Sequence, residues 1–432
     1  MNICMFTNTY LPHVGGVARS VAFFAQDLCG LGHKVLVVAP TFHEDADFGG
    51  EHYEVLRLPA IQNFNGSDFS LRIPIPFVIN HKIDQFSPDV IHSHHPYLLG
   101  DAAIRAARTR NLPLVFTHHT LYEQYTHYVP LDSKPLQHFV IKLSTEYANL
   151  CAKVVAPSLS VARLLRKRGV ARPIEEIPTG VDVQFFDKGQ GERIRQTYGI
   201  PQDALVIGHV GRLAPEKNLT YLAEAVALFL ESYRDAFFVV AGSGPSESNI
   251  KRIFANKSLS DQLRMLGTVT GQDLAHVYQA MDLFVFSSKS ETQGMVLTEA
   301  MAAGTPVIAL DASGAREVVE DGRNGRLLSE TASPQSFAQA IREFSEDATQ
   351  AKEWQKEALK TANRFSRERS VQRLVGLYQS ILGYGADHRN HELVTFDTLT
   401  RRLRAEWELI SEKTKAATKL IKEGNKRQVL LE

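Results

Sequence analysis

The sequence has few cysteines, no long apolar run and no excess of charge of either sign. Its three cysteines, Cys4, Cys29 and Cys151, form no C-x-x-C pair, which argues against a disulfide framework and a cysteine zinc site and favours a reducing compartment. No window approaches about eighteen uncharged apolar residues, so no transmembrane helix is predicted. The 48 basic residues balance 48 acidic ones, so total charge does not favour nucleic acid as a partner.

The first residues also lack the features of a secretory signal. The segment MNICMFTNTYLP has no basic residue before a very short apolar stretch, and a signal peptide needs both a charged and a longer apolar region. We therefore expect a cytoplasmic protein, with peripheral contact to the cytoplasmic membrane face left open.

What the chain does have is an alternation of short apolar runs and amphipathic stretches, which occurs twice in its 432 residues. The runs of the first half are NICMFTN, KVLVVAP, EVLRLP, DVIHSH, PLVFTHH and KVVAPS, and those of the second are ALVIGHVGRL, AFFVVAGSG, LRMLGTV, DLFVFSS and TPVIALD. This alternation is typical of a doubly wound parallel sheet. We predict an α/β protein with two Rossmann-like domains facing a deep cleft, joined by a turn-rich linker near residues 180–190.

The predicted domains cover residues 1–185 and 186–365, and two helical segments follow. A helix is expected at 366–385. Residues 386–432 are expected to form an amphipathic tail with apolar side chains on one helical stripe, namely Leu399, Leu403, Trp407, Ile410, Ala417 and Ile421. Such a stripe fits packing on the body or on a second copy of the chain, binding to a membrane surface, or a mobile tail.

Two cations follow the first strand of the second half, in IGHVGRLAPEKNLTYLAEA. Arg212 can bond two phosphate oxygens and Lys217 supplies a compact charge near a helix start, so the pair is suited to a diphosphate; two solvated loop cations are the alternative. Gly15 and Gly16 separate the first strand from the first helix. There the backbone can approach an anion at a helix N-terminus, although a plain turn would also use glycine.

The segment SSKSETQGMVLTEAMAAGTPVI, residues 287–308, contains two glutamates with seven residues between them. Glu291 lies in a loop, and Glu299 is expected two turns inside the next helix, about 12 Å along its axis. These carboxylates fit hydroxyls at the two ends of a nucleotide sugar, or are ordinary solvated or salt-bridged glutamates. Gly242 and Gly244 either line a nucleotide or form a tight turn. Amides expected to face a phosphate are those of Thr292, Gln293, Gly294, Met295 and Val296.

Histidines concentrate at strand ends of the first half. The run PLVFTHH ends with His118 and His119. A histidine at such a strand end is a candidate polar contact for a reacting sugar, with a purely structural role as the alternative. The segment HSHHP contains His92, His94 and His95. A strand alternates its faces and no carboxylate cluster completes the set, so no metal site is predicted.

In this order, Gly-Gly, the strand-end histidine, G-R-L-x-x-x-K-N, G-x-G-P and E-x7-E resemble the retaining family-four glycosyltransferases of the GT-B fold, over about residues 1–385. The resemblance implies an acceptor domain followed by a nucleotide-sugar domain, and a helix at 366–385 that crosses back to the first. By position it implies the following roles: Gly15 and Gly16 near the diphosphate, His119 at the donor sugar with His118 as the second choice, Arg212 and Lys217 on the diphosphate, Glu291 at sugar hydroxyls, Gly294 to Val296 around sugar and phosphate, and Glu299 at the ribose.

Within the family, the segments THHTLYEQYTHYVP and SETQG resemble diacylglycerol glucosyltransferases and related glycolipid enzymes. Tyr122, Tyr125 and Tyr128 recur every third position on the presumed acceptor side. A local basic group suits a lipid headgroup, with ordinary helix packing as the alternative. Its members are Arg163, Arg166, Lys167 and Arg168.

The resemblance therefore predicts a retaining, metal-independent hexosyltransferase that needs no cofactor. UDP-glucose is the first donor considered and a lipid such as diacylglycerol the first acceptor. A soluble glycan or small-molecule acceptor is the nearest alternative, and a sugar-nucleotide epimerase, a phosphorylase or a non-catalytic nucleotide-sugar-binding protein fits less well. A homo-oligomer formed through the C-terminal helix is left open.

Overall fold

The computed structural model describes residues 1–13, 15–41, 52–61, 71–72, 76–124 and 134–383, and the predicted tail at 386–432 lies outside them. The chain divides into two compact units. The first contains residues 1–179 and the segment from residue 370, and the second contains residues 180–369.

A sheet of parallel strands forms the centre of the first unit. Its strands are β1 (Asn2–Phe6), β2 (Lys34–Pro40), β3 (Glu54–Leu58), β6 (Val90–Ser93), β7 (Leu114–Thr117), β8 (Lys153–Ala156) and β9 (Ile174–Glu176). They lie in the order β3-β2-β1-β6-β7-β8-β9. Two short antiparallel strands, β4 (Ala60–Ile61) and β5 (Leu71–Arg72), form a separate ribbon.

Helices cover both faces of this sheet, which explains why its central strands are mostly apolar. In β1, Cys4 and Phe6 belong to the apolar core on one face, whereas Ile3 and Met5 belong to the core on the other. A strand buried on both faces shows a continuous apolar run instead of an alternating one. The helices are α1 (Gly16–Gly30), α2 (Pro76–Phe86), α3 (Leu99–Thr109), α4 (Lys134–Asn149) and α5 (Leu159–Lys167).

The second unit has a parallel sheet of its own, in the order β12-β11-β10-β13-β14-β15. Its strands are β10 (Leu205–Val210), β11 (Ala236–Ala241), β12 (Leu263–Gly267), β13 (Leu283–Phe286), β14 (Val307–Leu310) and β15 (Gly325–Leu328). Its helices are α6 (Val183–Asp187), α7 (Gly191–Thr197), α8 (Leu219–Leu230), α9 (Glu247–Asn256), α10 (Gln272–Gln279), α11 (Met295–Ala302), α12 (Pro334–Glu346) and α13 (Ala348–Arg364), with short 3₁₀ turns at Pro215–Lys217 and Ser260–Gln262.

The last described helix, α14 (Arg367–Gly383), returns the chain to the first unit. Val371, Leu374, Leu377 and Tyr378 are buried in the same apolar core as Ile3 and Met5. Within the described ranges, no helix is both long enough and apolar enough to cross a lipid bilayer.

The prediction of two Rossmann-like parallel sheets is confirmed, and each of the eleven apolar runs contains a strand. Two features differ from the sequence analysis. The expected linker near 180–190 contains the helix Val183–Asp187, so the boundary placed after residue 185 falls inside a helix. The edge strands β9 and β15 were not predicted, because IEE contains one large apolar residue and GRLL only two, which is too few for an apolar run.

Both sheets have a switch point where the chain changes direction across the sheet. In the first, β2 and β3 lie on one side of β1, and β6 lies on its other side. In the second, β11 and β12 lie on one side of β10, and β13 lies on the other. Ligands of open α/β sheets bind at the carboxyl ends of the strands at such a point, so the loops after β1, β6, β10 and β13 are the places to look for a site.

Candidate functional site

A salt bridge between Lys217 and Glu291 lies at the switch point of the second sheet. Lys217 follows β10 and Glu291 follows β13, and the Lys217 ammonium donates a hydrogen bond to Glu291 Oε1. The two side chains are only 16% and 18% exposed. The structure thus joins two residues predicted to bind the donor, although 74 positions separate them.

Serine side chains hold the two loops of this site against each other. Ser287 Oγ donates to the carbonyl oxygens of Lys217 and Asn218, at 3.1 Å in both cases, and Ser290 Oγ donates to the carbonyl of Glu216 at 3.2 Å. Because β10 and β13 are adjacent and parallel, the loops leave the sheet side by side. These bonds fix the backbone that carries the salt bridge.

The Glu291 carboxyl group is ionised although it is largely buried. Burial opposes its ionisation, but the charge and hydrogen bond of Lys217, together with a hydrogen bond from Ser288, outweigh burial and hold the pKa of Glu291 below its ordinary value. An ionised carboxylate only accepts hydrogen bonds. It is therefore suited to receive them from the hydroxyl groups of a sugar.

His209, on β10, is a neighbour of this salt bridge that the sequence analysis missed. Its Nδ1–H donates to the carbonyl of Val285 at 3.1 Å, and its Nε2 is buried with no hydrogen-bond partner among the described residues. Burial lowers the pKa of His209 to about 4. The Val285 hydrogen bond and the Glu291 charge raise the pKa by less than burial lowers it, and the Lys217 charge lowers it further. A polar residue inside an otherwise apolar strand was the signal for it.

Arg212 does not share the partner of Lys217. Its guanidinium pairs with Glu216, one turn further along the same loop, and its side chain is 45% exposed. The two cations predicted to clamp one diphosphate are thus bound to different carboxylates in this structure. Their joint contact with a diphosphate stays a prediction.

The glycine turn after β11 packs tightly on the loop that carries Arg212. A Cβ atom at Gly242 would lie 1.8 Å from the carbonyl oxygen of Gly211, and one at Gly244 would lie 2.4 Å from that of Leu213. Both glycines are therefore required by close backbone packing, as the tight-turn interpretation expects. Nucleotide contact by them stays a prediction.

The expected helical spacing of the two glutamates is wrong. Gly294 has a left-handed backbone (φ 72°), and α11 begins only at Met295, so Thr292 and Gln293 precede the helix and Glu291 lies in the loop before it. Glu299 is the fifth helical residue, about one turn from the start instead of two. The amides of Met295 and Val296 do lie in the first turn.

Glu299 itself belongs to the interior of the second unit. It is 2% exposed, and its Oε2 accepts a 2.8 Å hydrogen bond from the hydroxyl of Tyr278, which is fully buried. The ribose contact predicted for it is not tested by this geometry and stays a prediction.

In the first unit, Gly15 and Gly16 form the start of α1 after the β1 loop. Gly15 has an extended backbone (φ −163°) that any residue can adopt, and a Cβ atom at Gly16 would meet nothing within 4 Å. The turn itself therefore does not require glycine at Gly16. For Gly16 this removes support from the plain-turn alternative, whereas a Cβ atom at Gly15 would lie 3.0 Å from the His13 ring. The predicted approach to an anion stays a prediction.

The two histidines after β7 have different surroundings. His119 is half-buried, and its Nε2 is hydrogen-bonded to Nδ1 of His94 at 2.9 Å. His118 is fully buried, and neither ring nitrogen has a hydrogen-bond partner within the described part of the chain. Burial, followed by the nearby Arg168 charge, lowers the pKa of His118 to about 4. His119 is thus the more accessible of the two, as the first choice requires.

The HSHHP histidines are bonded to protein groups. His92 is bonded to the Tyr378 hydroxyl at 2.6 Å, and His95 Nδ1 accepts a hydrogen bond from the backbone N–H of Asn8 at 3.1 Å. Within the described residues, no group of three or more histidine, cysteine or acidic side chains is arranged to hold a metal ion.

Of the predicted acceptor residues, Tyr125 and Tyr128 lie outside the described residues. Tyr122 is buried between the rings of Tyr97 and His118, with centroid distances of 5.4 and 5.7 Å. Its buried hydroxyl has no hydrogen-bond partner among the residues described here, and burial raises its pKa well above the ordinary value. Tyr122 is therefore an internal residue and not an exposed aromatic contact.

The predicted basic group is smaller than expected. Arg163, Arg166 and Lys167 are exposed on α5, but Arg168 forms a salt bridge with Glu123 at 2.5 Å and is largely buried. Leu159, one of the exposed large apolar side chains, lies at the start of the same helix. At helical spacing, Leu159 and the three exposed cations share one face.

Comparison with known proteins agrees with this architecture. Residues 14–185 match the model of Glycosyltransferase Family 4, and residues 190–361 match that of Glycosyl transferases group 1. The alpha-monoglucosyldiacylglycerol synthase of Acholeplasma laidlawii is 30% identical over 340 residues, which are 75% of this chain and 84% of that protein. The GDP-mannose-dependent alpha-mannosyltransferase of Corynebacterium glutamicum is 28% identical over 360 residues, or 82% and 80%.

Among solved structures, that of Anabaena HepE in complex with UDP-glucose superposes with a TM-score of 0.70 at 21% identity, covering 88% of this chain and all of that one. Two Rossmann-like parallel sheets with these matches define a glycosyltransferase of the GT-B fold. The chain belongs to glycosyltransferase family 4.

Proposed function

We propose that this glycosyltransferase moves a hexose, with retention of the anomeric configuration, from UDP-glucose to a lipid acceptor such as diacylglycerol. The observation that carries the donor part is the Lys217–Glu291 salt bridge at the switch point of the second sheet, next to the start of α11. In this salt bridge the Lys217 ammonium, which would bind the diphosphate, lies beside the Glu291 carboxylate, which would bind the sugar hydroxyls.

The reaction needs negative charge to be stabilised on the leaving diphosphate. The bond between the anomeric carbon and the phosphate oxygen breaks with its electron pair going to that oxygen, and the acceptor hydroxyl oxygen forms the new bond to the same carbon. The acceptor proton passes to the leaving phosphate oxygen, so no acidic residue is assigned as general base. Preorganised cations and amides are expected to supply most of the catalysis, here Lys217, Arg212 and the first amides of α11.

Lys217 is able to serve this role while it is bonded to Glu291. An ammonium group has three hydrogen-bond donors and can bond a carboxylate and a phosphate together. Glu291 in turn orients Lys217 and, as an ionised carboxylate, accepts hydrogen bonds from sugar hydroxyls. Because cations neutralise the diphosphate, the proposed reaction requires no divalent metal, and a chelator should leave the rate unchanged.

A lipid acceptor is supported by two observations. The Acholeplasma laidlawii relative is named for glucosyldiacylglycerol synthesis. The face of α5 that carries exposed Leu159 with three exposed cations combines an apolar contact with positive charge, and this combination suits an anionic membrane surface. We therefore propose peripheral binding to the membrane through this face.

The donor is tested by calorimetry with UDP-glucose, GDP-mannose and UDP alone. We expect binding of UDP-glucose, and a loss of affinity of at least about tenfold in Lys217→Ala, because a charge-assisted hydrogen bond to phosphate is removed. Lys289→Ala is the matched control, since Lys289 is an exposed lysine two positions before Glu291. Preference for GDP-mannose, in line with the Corynebacterium relative, would refute the proposed donor, and equal losses in both variants would refute the role of Lys217.

The acceptor is tested by transfer of labelled glucose to diacylglycerol in anionic vesicles, compared with free glycerol and free sugars. Labelled lipid with an α linkage supports the proposal, because the sugar of UDP-glucose is itself α-linked. A β linkage would refute retention, and transfer only to soluble acceptors would favour a small-molecule glycosyltransferase.

Membrane binding is tested by vesicle flotation of a variant with Arg163, Arg166 and Lys167 changed to Glu. We expect flotation with anionic vesicles to be lost, because each basic residue near such a surface contributes about 1 kcal/mol. The control variant changes three exposed lysines of the second unit to Glu, namely Lys188, Lys352 and Lys356. The same loss in the control would show a general charge effect and not a specific face.

A further inference from the structure

Three imidazole rings lie in a row at the carboxyl ends of β6 and β7. The rings of His92 and His94 are 4.3 Å apart and nearly parallel, and those of His94 and His119 are 5.2 Å apart with an interplanar angle of 26°. The strands pair in parallel register, with His92 opposite Val115. His94 is thus held between one histidine in the sheet and one at the end of the neighbouring strand.

His92 is the fixed member of this row. Its Nδ1 is hydrogen-bonded to the Tyr378 hydroxyl at 2.6 Å and its Nε2 to the Thr117 hydroxyl at 2.7 Å. Both ring nitrogens are therefore used, and the ring is buried. The ring of His94 therefore stacks on a His92 ring whose position is fixed by hydrogen bonds at both nitrogens.

His94 has one polar contact, and that contact decides its tautomer. The ring is fully buried and bonded through Nδ1 to Nε2 of His119 at 2.9 Å, while its own Nε2 has no hydrogen-bond partner among the described residues. Burial, followed by the neighbouring histidines, keeps the pKa of His94 well below the ordinary value, so the ring is neutral and carries one proton. A proton on Nε2 would be a buried donor without an acceptor, which folded proteins avoid more strictly than a bare acceptor. The proton therefore lies on Nδ1 and is donated to His119.

We propose that His94 is a positioning residue for His119: it donates Nδ1–H to His119 Nε2 and so holds His119 as the tautomer that carries its proton on Nδ1. This inference rests on the proposed function in that His119 is taken to contact the donor sugar. The bond occupies Nε2, so any hydrogen bond from His119 to a sugar has to be made by Nδ1–H, as a donor to a hydroxyl oxygen. The tautomer that carries its proton on Nε2 would offer a lone pair at Nδ1 in place of this donor.

The test uses two substitutions of equal size, of which only one supplies a hydrogen-bond donor. In His94→Asn the amide Nδ2–H takes the place of the donor Nδ1–H, whereas in His94→Asp the carboxylate is an acceptor only. Nitrogen NMR of histidine-labelled protein reports which ring nitrogen carries the proton, and the His119 signals are those missing in His119→Gln. We expect the Nδ1–H form of His119 in the native protein and in His94→Asn, and the Nε2–H form in His94→Asp.

Turnover of UDP-glucose with diacylglycerol vesicles gives the second readout. We expect His94→Asn to keep most of the native kcat, and His94→Asp and His94→Leu to lose about tenfold in kcat/KM, a coupling typical of side chains in direct contact. Because His94 acts through His119, the variant His94→Leu/His119→Ala should be no slower than His119→Ala alone.

An Nε2–H proton on His119 in the native protein, equal activity of the Asn and Asp variants, or losses that multiply in the double variant would each overturn the proposal. The NMR result needs no substrate, so it stands or falls apart from the proposed reaction. If the native protein turns over no nucleotide sugar, the proposed function fails while the tautomer is still decided.

Discussion

Removing the Lys217 ammonium should damage stability and donor binding by separable amounts. Lys217→Met keeps an unbranched side chain but leaves the Glu291 carboxylate, 18% exposed, without its counter-ion. Breaking a fully buried ion pair costs about 3–5 kcal/mol. Both partners here retain some contact with solvent, so we expect about 2–3 kcal/mol, or a melting temperature of the second unit lowered by roughly 4–12 °C.

Neutralising the partner should recover the stability but not the binding. Lys217→Met/Glu291→Gln leaves no unpaired charge, so its melting temperature should return most of the way to that of the native protein. Affinity for UDP-glucose should stay low in both variants. A charge-assisted hydrogen bond contributes about 1.5–3 kcal/mol, which corresponds to roughly 10- to 150-fold in Kd.

The pH dependence gives an internal check on the same pair. The folded-state pKa of Glu291 is lowered below its ordinary value of 4.5, so the stabilisation is complete above that value and is lost as the pH falls through the lower, folded-state pKa. The gap in stability between the native protein and Lys217→Met should therefore close in acid. Circular dichroism melts and calorimetry measure both quantities. A Lys217→Met variant that melts like the native protein, or a double variant that regains donor affinity, would refute the reasoning.

Two further predictions follow from buried groups. His118→Leu should weaken the acid sensitivity of the first unit, because the pKa of His118 falls from 6.5 to about 4 on folding and the residue therefore opposes folding, by up to roughly 3 kcal/mol, as the pH falls between these values. Urea unfolding at several pH values should show a free energy of unfolding that depends less steeply on pH in the variant. An unchanged dependence on pH would contradict a buried, neutral His118. Gly242→Ala should lose at least about 2 kcal/mol of stability, because its Cβ would lie 1.8 Å from the Gly211 carbonyl oxygen. The control Gly16→Ala, whose Cβ would meet nothing within 4 Å, should stay within about 0.5 kcal/mol of the native protein. Equal denaturation midpoints for the two variants would count against close packing at Gly242.

The central strands were predictable because a strand buried on both faces has a nearly continuous apolar sequence. β1 and β10 are apolar at nearly every position, and no polar face obscures them. The edge strands β9 and β15 have only one or two large apolar residues, in IEE and GRLL, so they lack this apolar pattern. The start of α11 was misplaced because the Ala-rich run suggests helix throughout, while the left-handed Gly294 confines the helix to residues from Met295 onward.

The site residues were predictable as types but not as partners. Arg212, Lys217 and Glu291 stand out because they are charged side chains in loops that follow apolar strands. Which carboxylate each cation takes depends on β10 and β13 being neighbours, a long-range fact that spacing along the chain does not contain. His94 and His209 could not be assigned, because single histidines in or beside apolar strands give no sign of the bonds that set their tautomers.

The two switch points differ in charge, and this difference limits how the reaction can be catalysed. The second unit presents the ionised groups Arg212, Lys217 and Glu291. In the first unit, burial is the main cause that holds the pKa of His119 well below its ordinary value, and the neighbouring histidines lower it further. A neutral imidazole of this kind can donate a hydrogen bond to a sugar, as proposed for His119, but does not act as an acid near neutral pH. The rate should therefore show no ionisation near pH 6.5 in its dependence on pH, and an inflection there that disappears in His119→Ala would show that His119 transfers a proton after all.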